Sequence, residues 1–145
     1  MTNPSDEFDW VSGSALAEPD EDCLQDDFDF DFFSQVLQRS PYHLDALRRQ
    51  VELLAQRGEH QLALALDRRL LEIRPEDCIV RYNYACSLAM TRRLELALGE
   101  LEIAFQLGYE DWDHVRFDSD LDSIRDRHAF REMVLRYKYF GSKQD

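Results

Sequence analysis

Three features of this sequence predict an all-α fold, a short helical-repeat solenoid. Apolar residues recur at helical spacing along most of the chain from residue 43 onward. Gly58, Pro75 and Gly108 stand where those periodic runs stop. Laid over itself with a shift of 34 residues, the sequence pairs core position with core position. The predicted arrangement is about two and a half helix-turn-helix units followed by a helical C-terminal cap. A length of 145 residues and a hydrophobic fraction of 44% suit one domain with its own core.

The elements follow in order. Residues 1–25 are acidic, contain Pro4, Gly13 and Pro19, and show no sustained period, so they are read as a disordered tail. Phe28, Phe30 and Phe32 alternate as a strand would, but no other segment could pair with one. With Phe33, Val36 and Leu37 they are read as one amphipathic helix over about 28–39 with a frayed start. Leu44, Leu47, Val51 and Leu54 form the next stripe, and Gly58 follows as a helix C-cap would. Leu62, Leu66, Leu70 and Ile73 form another, which Pro75 ends. Asp77 can cap a helix over roughly 78–91, with Tyr84, Ala85, Leu88 and Ala89 among its apolar positions. A helix over roughly 94–107 carries Leu94, Ala97, Leu98, Leu101, Ala104 and Phe105, and Gly108 closes it.

Beyond that point the sequence reads as a cap. Trp112, Val115 and Phe117 lie in or beside a short turn. Ser119 to Asp122 is expected to form a capping box, with Leu121 and Ile124 facing inward. Asp126 is expected to cap a last helix over about 127–139, whose stripe is Phe130, Met133, Val134 and Tyr137. Residues 140–145 are expected to be flexible.

The 34-residue register is specific. Leu54 falls on Leu88, Val51 on Ala85, Ala63 on Ala97 and Leu64 on Leu98; Val36, Leu70 and Ala104 share one position. This resembles the tetratricopeptide repeat family over about residues 28–111. That resemblance divides the helical domain, 26–139, into a half unit at 28–43, repeats at 44–77 and 78–111, and a cap at 112–139. The small residues that the family places at helix contacts are met by Ala63, Ala85, Ala97 and Ala104, and its closing proline by Pro41 and Pro75. Val51, Asp67 and Leu70 depart from the pattern and make the first unit divergent. The run from Gly108 to His114, with Asp118 to Asp122, is similar to the segment that ends many bacterial arrays of this family.

Charge narrows the partners. Thirty acidic residues oppose 17 basic ones, a formal net charge of −13. Residues 1–40 carry about −10 of it. Such a balance argues against nucleic acid, where Lys and Arg neutralise phosphates, and against anionic membrane surfaces. Cys78 and Cys86 lie roughly 12 Å apart along one predicted helix, too far for a disulfide. Three cysteines with no CxxC pair suit a reducing compartment, and with no signal-like N-terminus the expected location is cytoplasmic.

No catalytic or cofactor site is expected. Asp118, Asp120 and Asp122 have the spacing of an EF-hand start, but Ser123 and Ala129 replace the required Gly and Glu. Cys78 and Cys86 have neither a paired CxxC nor an HExxH to make a zinc site. There is no GxSxG and no phosphate-binding glycine loop. The expected metal and cofactor sets are therefore empty, and the chain is not expected to be an enzyme.

The resemblance implies a function instead, namely protein or peptide binding as an adaptor or chaperone-like module on a concave face. Its lining would be Asp45, Arg48, Arg49, Glu52 and Gln56 from the first repeat, and Ile79, Tyr82, Asn83, Cys86 and Met90 from the second. Two cations beside Tyr and Met would suit a peptide with acidic and apolar groups. Arg48 and Asn83 fall where some members clamp a peptide's carboxylate, whereas Glu52 stands where that clamp has Asn. The acidic tail could itself lie against Arg48 and Arg49. The alternatives are a self-association module forming a homo-oligomeric scaffold, and a regulatory subunit of an enzyme complex.

Overall fold

Eight α-helices and one 3-10 turn account for most of the described residues, and no strand occurs among them. The computed structural model describes residues 18 and 20–141. In chain order the helices are α1 (Glu21–Arg39), α2 (Leu44–Gln56), α3 (His60–Ile73), α4 (Cys78–Met90) and α5 (Leu94–Gln106). The cap follows as α6 (Trp112–Phe117), the 3-10 turn Ser119–Leu121, α7 (Asp122–Arg125) and α8 (His128–Phe140). From α1 to α5 each helix packs on the next. The starts of α2 and α4 are 34 residues apart, and so are those of α3 and α5.

Helix α1 begins well before the expected residue 28. Residues 21–25, read from sequence as part of a disordered tail, form its first turns. The Asp20 carboxylate accepts from the Asp22 N–H, and Glu21 and Asp22 place negative charge at the helix N-terminus, where the helix dipole favours it. Arginines of α2 and of the turn after it also hold this end, through Asp26, Asp27 and Asp29. The rest of the expected tail, residues 1–17 and 19, lies outside the described residues.

The turn after α2 requires a left-handed backbone, which Gly58 supplies at φ 74°. Thirty-four residues on, Arg92 adopts the same sign at φ 65° with a Cβ to accommodate. Asp77 caps α4 as expected, accepting from the Ile79 N–H at 2.9 Å and the Val80 N–H at 3.3 Å. The start of α2 is capped by His43, whose Nδ1 accepts from the Ala46 N–H at 3.2 Å.

Alanines allow the close approach of the helices. Ala46, Ala63, Ala85, Ala97 and Ala104 are fully buried. Around them Leu47, Leu70 and Val80 close one core cluster with Leu37 of α1. Leu88, Leu101 and Phe105 close a larger one with Val115, Leu121, Ile124, Phe130 and Met133 of the cap. Each large apolar side chain so buried contributes roughly 1.5–3 kcal/mol. Leu62, expected in the inner stripe of α3, is exposed instead, and the inner face there is Ala63, Leu64, Asp67 and Leu70.

The cap departs from expectation in its details. Asp118, not Ser119, caps the 3-10 turn, accepting from the Asp120 N–H at 3.0 Å. Helix α8 starts at His128 with Arg127 at its cap position, and no side chain caps it, so Asp126 does not have the expected role. The helix runs through Phe140, the first residue of the stretch expected to be flexible, and residues 142–145 lie outside the described residues. Phe117 is exposed. Arg125 ties the cap together by donating to the carbonyls of Val115 and Asp118. No helix among the described residues is long and apolar enough to cross a membrane.

Candidate binding clefts on the face of α2 and α4

Two clefts flank α4. The first, about 410 Å³, opens between α2, α3 and α4. Arg48, Val51 and Glu52 line it from α2, Asp67 and Leu70 from α3, and Asp77, Ile79, Val80 and Asn83 from the start of α4. The second, about 450 Å³, lies between α4 and the start of the cap, with Tyr109, Asp111 and His114 on its far wall. Ile79 and Asn83 line both clefts, so they form the ridge between them. Both are exposed, one apolar and one able to donate and accept hydrogen bonds.

The structure divides the ten residues expected to line a groove. Arg48, Glu52, Ile79 and Asn83 line the first cleft. Asp45, Gln56 and Met90 are exposed but lie outside both clefts. Arg49 is already engaged. Its Nη2 donates to Asp26 at 2.8 Å and to Asp29 at 2.9 Å, and its Nη1 to Glu52 at 3.1 Å. The Arg49 guanidinium in turn holds the Asp29 carboxyl below its usual range. Of the acids against Arg49, Asp26 and Asp29 belong to α1 and Glu52 to α2.

Tyr82 and Cys86, also expected on the groove, are interior residues with 1% and 6% exposure. Tyr82 reaches the second cleft only at its floor. The reason is the cap. The 3-10 turn Ser119–Leu121 packs against α4 and covers this part of its face. Tyr82 Oη donates to Asp118 Oδ2 at 2.8 Å, and its ring stacks on Tyr109 with centroids 4.1 Å apart and planes 2° from parallel. Cys86 Sγ lies 3.6 Å from the same oxygen. Burial pushes the Cys86 thiol well up, and the charge of Asp118 adds to this. Burial likewise pushes up the Tyr82 hydroxyl.

This network brings ligand atoms of Cys86, Asp118 and Asp120 within 4.8 Å of one another. His114 Nε2 lies 3.2 Å from Asp118 Oδ2. The O–H of Tyr82 and the S–H of Cys86 already serve Asp118, which accounts for the cluster as a joint between α4 and the cap. Sequence spacing could not show it, because Cys86 and Asp118 are 32 residues apart. Asp122, the third acid of the supposed EF-hand start, turns away to Arg125.

Among the residues of the first cleft that the groove expectation omitted is Asp67. It has 0% exposure. Its Oδ2 accepts from Ser87 Oγ, while its Oδ1 is buried with no hydrogen-bond partner among the described residues. Burial pushes its carboxyl up to about 7. A signal did exist, since the 34-residue register pairs Asp67 with the core residue Leu101.

No protein-family model matches the chain, and no solved structure matches it. Among curated proteins it is similar to a chloroplastic protein of Arabidopsis thaliana, at 29% identity over 83 residues, 55% of this chain and 25% of that protein. The chain thus corresponds to about a quarter of that relative's length.

Proposed function

We propose that this chain is a non-catalytic, cytoplasmic protein-binding module of tetratricopeptide type, which holds a partner peptide along the face of α2 and α4. One observation carries the reading: two clefts of about 410 and 450 Å³ share the exposed ridge of Ile79 and Asn83. Paired concavities around an apolar and an amide side chain can seat alternate side chains of a peptide while Asn83 bonds its backbone. The matching starts of α2 and α4, and of α3 and α5, support the repeat architecture from which such a face follows. The test is capture of partners by wild type and by the Ile79→Ser/Asn83→Ala variant, read by mass spectrometry. Both positions are exposed, so the variant is expected to fold and to lose the partners. Retention of the same partners would remove the face of α2 and α4 from consideration.

A second reading, self-association, has its own observation. Leu24, Phe28 and Phe32 form an i, i+4, i+8 stripe on α1 with 54%, 65% and 50% exposure. Phe28 and Phe32 stack with centroids 6.3 Å apart. An apolar stripe at one end of a helical array is a surface that a second copy can cover. Light scattering over a concentration range tests this. A dimer that Phe28→Ser/Phe32→Ser converts to monomer supports the reading, and a strict monomer in wild type rejects it.

A further inference from the structure

The three residues that break the repeat pattern of the first unit meet in one place. At a spacing of 34, Val51 stands for Ala85, Asp67 for Leu101 and Leu70 for Ala104. All three counterparts are core residues with 0% exposure. Val51, Asp67 and Leu70 line the first cleft. Departures from a local rule tend to gather where a protein has a use for them. At this cleft the departure is chemical as well as steric, because an acid replaces a leucine. The buried Oδ1 of that acid has no donor among the described residues. A buried acceptor without a donor is unfavourable, so this oxygen is a place for a donor from outside the described residues.

Charge decides what kind of donor fits. Two guanidinium groups, Arg48 and Arg49, serve this face. Asp26, Asp29 and Glu52 surround Arg49, Asp77 sits 3.5 Å from Arg48, and Asp67 lies beneath. Three acids, Glu52, Asp67 and Asp77, line the cleft against one cation, Arg48, so it is acid-rich despite the acidic partner that Arg48 and Arg49 suggested in the sequence. Its walls are hydrocarbon from Val51, Leu70, Ile79 and Val80. An acidic floor, whose ionised form an incoming cation would favour, lies under apolar walls and matches a long side chain with methylenes and a cationic head.

We propose that the first cleft receives a lysine or arginine side chain of the partner peptide, with its head directed at Asp67 and its stem against Val51, Leu70 and Val80. The inference rests on the reading of the α2 and α4 face as a peptide-binding surface. Arg48 forms the lip, and its 3.5 Å pairing with Asp77 is loose enough for an incoming cation to displace.

The test uses the full chain and an array of random acetylated 12-residue peptides, followed by fluorescence anisotropy on the selected sequences. Wild type is expected to select Lys or Arg at one fixed position beside apolar residues. Replacing that cation by norleucine is expected to weaken binding about tenfold or more. In Asp67→Asn the preference for a cation at that position is expected to disappear while apolar selection persists, with circular dichroism confirming the fold. Selection without a cation, or an unchanged cation preference in Asp67→Asn, overturns the inference and leaves the binding face standing. Selection of no peptide at all overturns both.

Discussion

Replacing Asp67 by Asn is expected to change how stability depends on pH, in a direction that burial dictates. The carboxyl is fully buried and pushed up from 3.8 to about 7. The folded state therefore favours the protonated form. Its stabilising contribution is complete below the unfolded value of 3.8, falls as pH rises, and is lost above about 7. Each pH unit inside that window corresponds to about 1.4 kcal/mol. Between pH 5 and pH 8 wild type is expected to lose roughly 3 kcal/mol from this group. Asn cannot ionise, so that loss disappears in the variant. The buried amide has its own cost, on the order of 1–3 kcal/mol, because one donor must find a partner. The stability of the variant relative to wild type is therefore expected to rise by roughly 3 kcal/mol between pH 5 and pH 8, and at pH 8 the variant is expected to be the more stable protein. Urea denaturation of both proteins from pH 5 to 8.5 measures this. Asp120, also raised by burial, leaves a residual slope in both proteins that the difference between them removes. If that difference stays constant within ~0.5 kcal/mol across the range, Asp67 is not the buried ionisable group described here.

Other consequences concern the turns and the joints between helices. Arg92→Gly relieves a left-handed backbone that bears a side chain, and is expected to stabilise by about 0.5–1 kcal/mol, visible as a higher melting temperature; a lower one would contradict the strain. Arg49→Ala removes the partner of Asp26 and Asp29, so amide exchange is expected to accelerate in the first turns of α1 and not in α4 or α5. Uniform protection along α1 would show that these ion pairs do not hold it. Tyr82→Phe deletes the hydroxyl bonded to Asp118 and is expected to destabilise by about 1–2 kcal/mol with increased exchange in the cap, detectable in the same experiment.

Residues 44–106 were legible because their information is local. Each stripe repeats within a few residues, and Gly58, Pro75 and Asp77 mark the ends by rules of backbone conformation and capping. The start of α1 was not legible, because its acids look like a solvated tail until they are seen beside Arg49 and Arg57, at 20 residues' separation or more. The burial of Tyr82 and Cys86 was not legible for a related reason. The cap folds back over them, and Asp118, which bonds Tyr82, lies 36 residues away in the sequence. Asp67 was the intermediate case. Its departure from the repeat was visible, but the cleft it shares with Val51 and Leu70 depends on how α2, α3 and α4 pack.

The face of α2 and α4 is tested most directly by an amide NMR titration of the full chain with a peptide selected from the array. Shifts concentrated at Arg48, Glu52, Ile79 and Asn83, saturating with the binding curve, are the expected result. Shifts confined to the outer face of α1 around Phe28 and Phe32, or to the cap, would contradict it.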